Sequence, residues 1–266
     1  MKACVLLIEG TNCEDDAVRA FTTVGVDAEK VHLKQLIGDC SAFRRRRLSD
    51  YDALFIPGGW SAGDYVRAGA IFAARLKTRL GSELTEFVEE GKYVIGVCNG
   101  LQVLVESGML PGFAGISEYP EAVMAINADG RFQCRPSYIR HVNKCKVTSG
   151  LQSGRVMQIP VAHAEGRISF GVGDDEMLQR LKRNKQIVFQ YCRADGEPAK
   201  GVFPWNPNGA LADIAGICNP KGNVLGMMPH PERVITPLQQ ADWTRTRYRE
   251  GEGLQFFKSI AKWRHR

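Results

Sequence analysis

Apolar runs of strand length alternate with amphipathic segments along the first part of the chain. The runs lie at Ala3 to Ile8, Val26 to Leu33 and Tyr51 to Pro57. A turn after the first run ends at Asn12, a candidate N-cap, and the acid-rich segment that follows stops at Gly25, which is typical of a helix. Apolar strands separated by helices predict an α/β fold with a mostly parallel central sheet flanked by helices.

The pattern is less regular beyond this opening. After Pro57 it predicts a helix that runs through Leu80, then a short helix from Glu83 to Glu90, and from Pro111 to Gly154 a loop-rich region with short β-like pieces. There is no internal repeat or linker, so we expect residues 1–266 to form a single domain. Further strands are predicted from Val156 towards Arg167, at Ile187 to Tyr191, at Ile214 to Cys218 and at Val224 to Met228, with a last helix from Glu252 to Trp263.

The segment from Val94 to Leu104, VIGVCNGLQVL, predicts a buried strand, a sharp turn and a helix. Cys98 lies at the turn, between glycines that allow close approach of strand and helix. A thiol at a helix N-terminus is favoured as thiolate, which is the nucleophilic form. Cys98 is therefore a candidate nucleophile, the alternative being an inert core cysteine.

Pro57, Gly58 and Gly59 follow another predicted strand directly. Adjacent glycines let the backbone approach a ligand and point an N–H group at it. In an enzyme that transfers acyl groups through a thiol, such a group serves in an oxyanion hole with the N–H of the residue after the nucleophile. Gly59 and Asn99 are the candidate donors, and a plain strand-to-helix turn is the alternative.

His230 and Glu232 lie on a proline-stiffened segment, PHPER, after the strand Val224 to Met228. At this spacing the carboxylate can fold back and orient the imidazole. A base held by an acid, together with Cys98, makes a triad in the chain order Cys, His, Glu.

Composition places the chain among ordinary globular proteins, with 44% hydrophobic and 24% charged residues in 266. No apolar run is long enough to cross a membrane and no signal peptide is visible, so we expect a cytoplasmic protein. The eight cysteines are scattered, without metal-ligand spacing, and predict neither a disulfide framework nor a metal site.

The net charge of +6 arises partly from a run at Arg44 to Arg47 and partly from basic residues near the C-terminus. Without interleaved aromatic residues or a nucleic-acid motif, these residues predict a solvated face and no nucleic-acid ligand. An acidic protein partner is the more plausible use of the charge.

Three of these motifs together carry a resemblance. GVCNGLQVL, with PGGWSAGDYVR before it and MMPHPER after it, resembles the class I, triad-type glutamine amidotransferases, and most closely the family of glutaminase subunits of phosphoribosylformylglycinamidine synthase. The similarity extends from the TNCEDDA turn to the C-terminal helix. It implies a flavodoxin-like fold and a thioester formed by Cys98 on glutamine, with His230 and Glu232 as the proton-transfer pair and Gly59 and Asn99 around the oxyanion.

The resemblance also implies a glutamine pocket formed by Gln102 and by the AHAEGR loop, which contains His163 and Gly166. Taken alone, His163 has no carboxylate to orient it, so we expect it to line the pocket or to make a structural hydrogen bond rather than to act as a base. Members of the family commonly have glycine at the position that Ala164 occupies in this chain. Extra sequence around residues 115–128 and 193–211 is interpreted as loops that face a partner.

The implied partners are a large synthetase subunit and a small accessory subunit. Ammonia from L-glutamine would pass to the large subunit, which would carry the ATP and Mg²⁺, and no cofactor is expected in this chain, which has no nucleotide-binding loop.

The sequence leaves two alternative functions open. One is a class I glutaminase that serves another amination, such as CTP, GMP or vitamin B6 synthesis. The other is a stress-related protein of similar fold whose cysteine senses oxidation; such proteins place histidine directly after the cysteine, where this chain has Asn99.

Overall fold

The structure, a computed structural model, describes residues 1–262. Trp263, at the end of the predicted last helix, lies outside the described residues. The strands are β1 Lys2–Leu7, β2 Asp27–His32, β3 Ala53–Ile56, β4 Tyr93–Val97, β5 Val123–Ala125, β6 Gln133–His141, β7 Val156–His163, β8 Arg167–Ser169, β9 Ile187–Cys192, β10 Ile214–Cys218 and β11 Val224–Met227. The α-helices are α1 Glu14–Thr23, α2 Leu33–Leu36, α3 Ala70–Glu89, α4 Asn99–Glu106, α5 Asp174–Arg183 and α6 Leu254–Ile260.

One large sheet forms the centre of the fold, in the order β2-β1-β3-β4-β11-β10-β9-β6-β7. The five strands from β2 to β11 are parallel to one another, and the other four extend the sheet in antiparallel pairs. The predicted α/β class, with a parallel core flanked by helices, is confirmed. The carboxyl ends of β3, β4 and β11 lie side by side, so the loops after these strands meet at one edge.

Apolar side chains explain why this sheet is covered on both faces. Every residue of β3, β4 and β11 is buried, as expected of central parallel strands. An aromatic cluster joins α1, β3 and α6, in which the ring of Phe21 meets that of Phe55 at 5.5 Å and that of Phe257 at 5.0 Å, both edge to face. Burial of each ring contributes about 2–3 kcal/mol to folding.

The prediction of two helices after Pro57 is wrong, because α3 is one continuous helix of 20 residues. Gly81 lies inside it with an ordinary helical backbone, and the buried side chains Leu76, Leu80 and Leu84 continue the helical spacing across the glycine. A single glycine weakens a helix by about 1 kcal/mol, which is less than this apolar face supplies.

The structure also differs from the sequence prediction in three smaller details. Cys13 rather than Asn12 is the N-cap of α1, and it makes no side-chain capping bond. The region predicted to be loop-rich contains β6, a strand of nine residues. Helix α5 was not predicted, although its acidic first turn and basic last turn are a recognisable helix signal.

Among the helices in residues 1–262, none combines the length and the apolar character needed to cross a bilayer.

Candidate active site

Cys98 lies at the end of β4 and caps the N-terminus of α4, with backbone angles φ 53° and ψ −108°. This conformation is rare for a residue with a side chain and costs on the order of 1–3 kcal/mol. The flanking glycines make the turn sterically feasible. A Cβ added at Gly96 would lie 2.4 Å from the carbonyl oxygen of Gly100, and one added at Gly100 would lie 2.0 Å from that of Ile56. The strand, turn and helix predicted around Cys98 are therefore present.

His230 follows β11 and lies at the same edge of the sheet as Cys98. The two strands are parallel neighbours, and the N–H of Cys98 donates to the oxygen of Met227 at 2.8 Å. The N–H of His230 donates to the oxygen of Pro160 at 2.8 Å, which fixes the backbone before the ring. Nδ1 of His230 lies 2.5 Å from Oε1 of Glu232, and both side chains are buried. The structure thus brings the three predicted residues to one place.

The electrostatics of the site favour a charged imidazole. Burial by itself lowers the pKa of His230, but the negative charges of Glu232 and Cys98, with hydrogen bonds from Cys13 and Cys98, raise it well above its ordinary value. Among the residues that the structure describes, none hydrogen-bonds to Nε2 of His230, and Sγ of Cys98 lies 3.4 Å from the backbone oxygen of Ala162. This nitrogen is therefore the one that can exchange a proton with Cys98.

The loop after β3 lies against both groups. A Cβ added at Gly58 would lie 2.7 Å from Cε1 of His230 and 3.4 Å from Cβ of Cys98. The loop is held by two backbone bonds, from the N–H of Asn12 to the oxygen of Gly58 and from the N–H of Trp60 to the oxygen of Gly10. Neither bond uses the N–H of Gly59. The predicted oxyanion role of Gly59 and Asn99 is compatible with this geometry and stays a prediction.

The side chain of Asn99 ties the glycine loop, which follows β3 and contains Gly58 and Gly59, to α4. Its Nδ2 donates to Oδ1 of Asp64 at 3.0 Å and to Oε1 of Gln102 at 2.9 Å, while its Oδ1 accepts the N–H of Ser61 at 3.1 Å. Burial raises the pKa of Asp64; hydrogen bonds from Gly69 and Asn99 oppose this rise, and the charge of Glu165 adds a smaller increase. The sequence pattern predicts no role for Asp64, although its position in the GDYVR loop is an available signal.

Gln102 reaches the AHAEGR loop, donating from Nε2 to the backbone oxygen of Glu165 at 2.7 Å. His163 lies on the same loop and is buried, with Nδ1 3.1 Å from Oδ1 of Asn127. Burial, followed by repulsion from the charge of His230, lowers the pKa of His163 to about 4. A neutral histidine held by an amide fits the expected structural hydrogen bond better than the role of a base.

The segments interpreted as partner-facing loops also build the wall of this pocket. Asn127 accepts the N–H of Gly166 at 3.1 Å, and Asn208 donates to the oxygen of Gly166 at 2.7 Å. A Cβ at Gly166 would lie 2.5 Å from Nδ1 of His163, so glycine is required there. Ala164 is exposed and accepts the N–H of Asn127 at 2.8 Å, so its methyl group is compatible with this wall.

A second buried thiol, Cys13, adjoins the pair of His230 and Glu232. Its Sγ lies 3.9 Å from Nδ1 of His230 and accepts a hydrogen bond from Nη2 of Arg233 at 3.0 Å. Cys13, His230 and Glu232 each offer a ligand atom, and these atoms all lie within 4.8 Å of one another. The sequence pattern predicts no metal site and no role for Cys13 or Arg233.

The chain is similar to known proteins over nearly its whole length. Residues 1–264 match the family of CobB/CobQ-like glutamine amidotransferase domains. A relative from Archaeoglobus fulgidus, named phosphoribosylformylglycinamidine synthase subunit PurQ, is 47% identical over 98% of this chain and 96% of its own length. A protein of the same name from Treponema denticola is 42% identical over 88% of each chain.

Solved structures show the same similarity. A chain in the structure of PurLQS from Thermotoga maritima superposes with a TM-score of 0.71 and 29% identity, over 97% of this chain and 96% of that one. The glutaminase domain of CTPS from Trypanosoma brucei, solved with bound acivicin, superposes with a TM-score of 0.51 and 16% identity, over 98% of this chain and 94% of that domain. This second likeness shows the fold alone.

Proposed function

Since this chain belongs to the family of CobB/CobQ-like glutamine amidotransferase domains, we infer that it is the glutaminase subunit of phosphoribosylformylglycinamidine synthase. It hydrolyses L-glutamine and delivers ammonia to a step of purine biosynthesis. The observation that carries the inference is the meeting of Cys98, His230 and Glu232 at one edge of the sheet, with Nδ1 of His230 2.5 Å from Oε1 of Glu232.

In the mechanism that we propose, the thiolate of Cys98 attacks the side-chain amide carbon of glutamine. The oxygen of the resulting tetrahedral intermediate carries negative charge, and the N–H groups of Gly59 and Asn99 stabilise it. The imidazolium of His230 donates its Nε2 proton to the departing nitrogen, so ammonia leaves and a thioester forms. Neutral His230 then takes a proton from water, and the hydroxide attacks the thioester and releases glutamate.

Glu232 has a positioning and electrostatic role in this scheme. Its carboxylate accepts the Nδ1 proton of His230, which fixes the tautomer, and its charge stabilises the imidazolium. We expect the glutamine substrate to lie against Gln102, His163 and Gly166, which the AHAEGR loop and Asn127 join through hydrogen bonds.

The chain acts in a complex with a synthetase partner. We propose that this partner is a large subunit, carrying ATP and Mg²⁺, which uses the ammonia to convert formylglycinamide ribonucleotide to the amidine, and that a small accessory subunit joins them. Residues 115–128 and 193–211 fit a role in docking, because their outer parts expose Tyr119 and Phe203 while Asn127 and Asn208 hold the pocket wall.

The alternative hypothesis, in which the released ammonia serves another amination reaction, is less favoured. The full-length relatives described above carry the phosphoribosylformylglycinamidine synthase name at 42% and 47% identity, whereas the CTPS domain shares 16%.

The test is glutamate release from glutamine by the purified chain, with and without the candidate synthetase and accessory subunits. We expect release to rise when the subunits and their ligands are added, and to be abolished in Cys98→Ala. Cys40→Ala is the matched control, because this partly exposed cysteine lies after α2, beside Lys34 and Phe43. Release that survives Cys98→Ala contradicts the mechanism, and Cys98-dependent release that ignores these subunits contradicts the pathway.

A further inference from the structure

The contact of Cys13 with the His230–Glu232 pair is not used in the mechanism above. All three side chains are buried: Cys13 and Glu232 are 0% exposed and His230 is 1% exposed. Buried thiol, imidazole and carboxylate groups are the three ligand types that Zn²⁺ takes in proteins. We propose that Cys13, His230 and Glu232 form an inhibitory site for a thiophilic divalent cation, Zn²⁺.

The distances are close to those that a tetrahedral ion needs. With metal–ligand bonds of about 2.0–2.3 Å, neighbouring ligand atoms lie roughly 3.3–3.6 Å apart. Sγ of Cys13 is 3.9 Å from Nδ1 of His230, and the carboxylate atom lies within 4.8 Å of both. The contact of 2.5 Å between Nδ1 and Oε1 must open by about 1 Å to admit the ion.

Two features of the surroundings favour the opening of the contact between His230 and Glu232. Oε2 of Glu232 is buried, and among the residues described no group bonds to it, so a turn of the carboxylate costs no existing bond on that side. Nη2 of Arg233 donates to Sγ of Cys13 at 3.0 Å, and such a donor offsets the negative charge of a metal-bound thiolate. Three protein ligands leave a fourth position, which water or the thiolate of Cys98 fills.

Binding at Nδ1 predicts how the ion inhibits. An imidazole bound to metal through Nδ1 keeps its remaining proton on Nε2. His230 then cannot accept a proton there, and Glu232 is withdrawn from orienting the ring. This consequence rests on the proposed function, whereas the binding of the ion does not.

Binding is tested with Co²⁺ and Zn²⁺ on the full chain carrying Cys98→Ala, so that the nucleophile's thiol cannot contribute. We expect one equivalent of Co²⁺ to give a thiolate-to-cobalt charge-transfer band, which Zn²⁺ abolishes by displacement. Adding Cys13→Ser should remove the band and weaken Zn²⁺ binding by at least about 10-fold. Adding Cys134→Ser, at an exposed cysteine, should change neither. Cys13→Ala, checked by circular dichroism, separates ligand loss from misfolding.

Inhibition is tested separately on chains that retain Cys98. We expect the Zn²⁺ concentration that halves glutamate release to rise by at least about 10-fold in Cys13→Ser. A cobalt band that persists without Cys13, or that is absent whenever Cys98 is replaced, overturns the proposal. If the chain does not hydrolyse glutamine at all, the proposed function fails, while the cobalt titration still decides whether the site exists.

Discussion

Oε1 of Glu232 lies 2.5 Å from Nδ1 of His230, although only Pro231 separates the two residues in the chain. The turn at Pro231 folds the carboxylate back onto the ring. The contact sets Nδ1 as the nitrogen that donates to Glu232 and leaves Nε2 for proton exchange. The spacing of two residues therefore lets Glu232 both orient the ring of His230, the proposed base, and stabilise its charged form.

We expect Glu232→Gln to lower kcat/KM for glutamine hydrolysis by about 10²–10⁴-fold, because the amide keeps the shape of the carboxylate but not its charge. The pKa of His230 should fall, since burial is then opposed by less negative charge. Steady-state glutamate release across pH measures both effects.

Glu86→Gln is the matched control, because Glu86 is an exposed carboxylate on α3. This control should behave as the parent does. If Glu232→Gln matches it in kcat/KM, the carboxylate has no part in proton transfer.

The lowered pKa of His163 predicts that the free energy of unfolding depends on pH below neutrality. Its pKa is lowered to about 4 in the folded chain, whereas the unfolded value is 6.5. Between these values the unfolded chain binds the proton and the folded chain does not, so the free energy of unfolding rises with pH from 4 to 6.5. The contribution is up to about 3 kcal/mol, by conversion of the shift at 1.36 kcal/mol per pKa unit.

Chemical denaturation at several pH values, on the parent and on His163→Gln, measures this term. The difference between the two free-energy curves should slope over pH 4 to 6.5 and be level above it. Parallel curves throughout would show that His163 titrates alike in both states. The amide of glutamine keeps a hydrogen-bonding partner for Asn127, which limits other losses.

The sequence predicts that Cys98, His230 and Glu232 lie together because the parts of this arrangement are local. Cys98 and His230 each end an apolar run, and parallel strands present their carboxyl ends at one edge. The spacing of His230 and Glu232 is a short-range signal. The order of the strands cannot be predicted from periodicity, and the adjacency of β4 and β11 is known only from the folded structure.

Contacts between distant segments were not predictable from local patterns. Cys13 and Arg233 are 220 residues apart, and their contact depends on how α1 packs beside the turn after β11. Asn127 and Asn208 are polar residues in segments without periodicity, so nothing local distinguishes them from solvated loop residues. Their hydrogen bonds to Gly166 appear only when the chain is folded.

A substitution at Gly81 tests whether α3 is one continuous helix, where the sequence pattern predicts two. A Cβ there has nothing within 4 Å, and the backbone is helical. We expect Gly81→Ala to raise the free energy of unfolding by about 0.5–1 kcal/mol, because alanine loses less backbone entropy in a helix. Gly25→Ala is the contrast: its surroundings are equally open, but its φ of +77° disfavours alanine, so stability should fall. Equilibrium denaturation in urea compares the two, and a loss of stability in Gly81→Ala would contradict a continuous α3.

A substitution at Gly58 would displace His230, the proposed base, without removing any functional group. A methyl group there would lie 2.7 Å from Cε1 of His230, and the ring cannot retreat freely because Glu232 and Cys13 adjoin it. We expect Gly58→Ala to lower kcat by about 100-fold, the effect of moving a catalytic group by roughly 1 Å.

Gly173→Ala is the control for Gly58→Ala, since Gly173 also lies outside the sheet and an added Cβ meets its nearest atom at 3.8 Å. Glutamate release and the urea unfolding midpoint should be measured on both variants. If kcat of Gly58→Ala falls while its folded fraction at assay temperature matches that of the control, the loss arises from the position of His230. A kcat equal to that of the control would mean that the glycine loop yields to the methyl group, and that the short approach of this loop to His230 is not needed for catalysis.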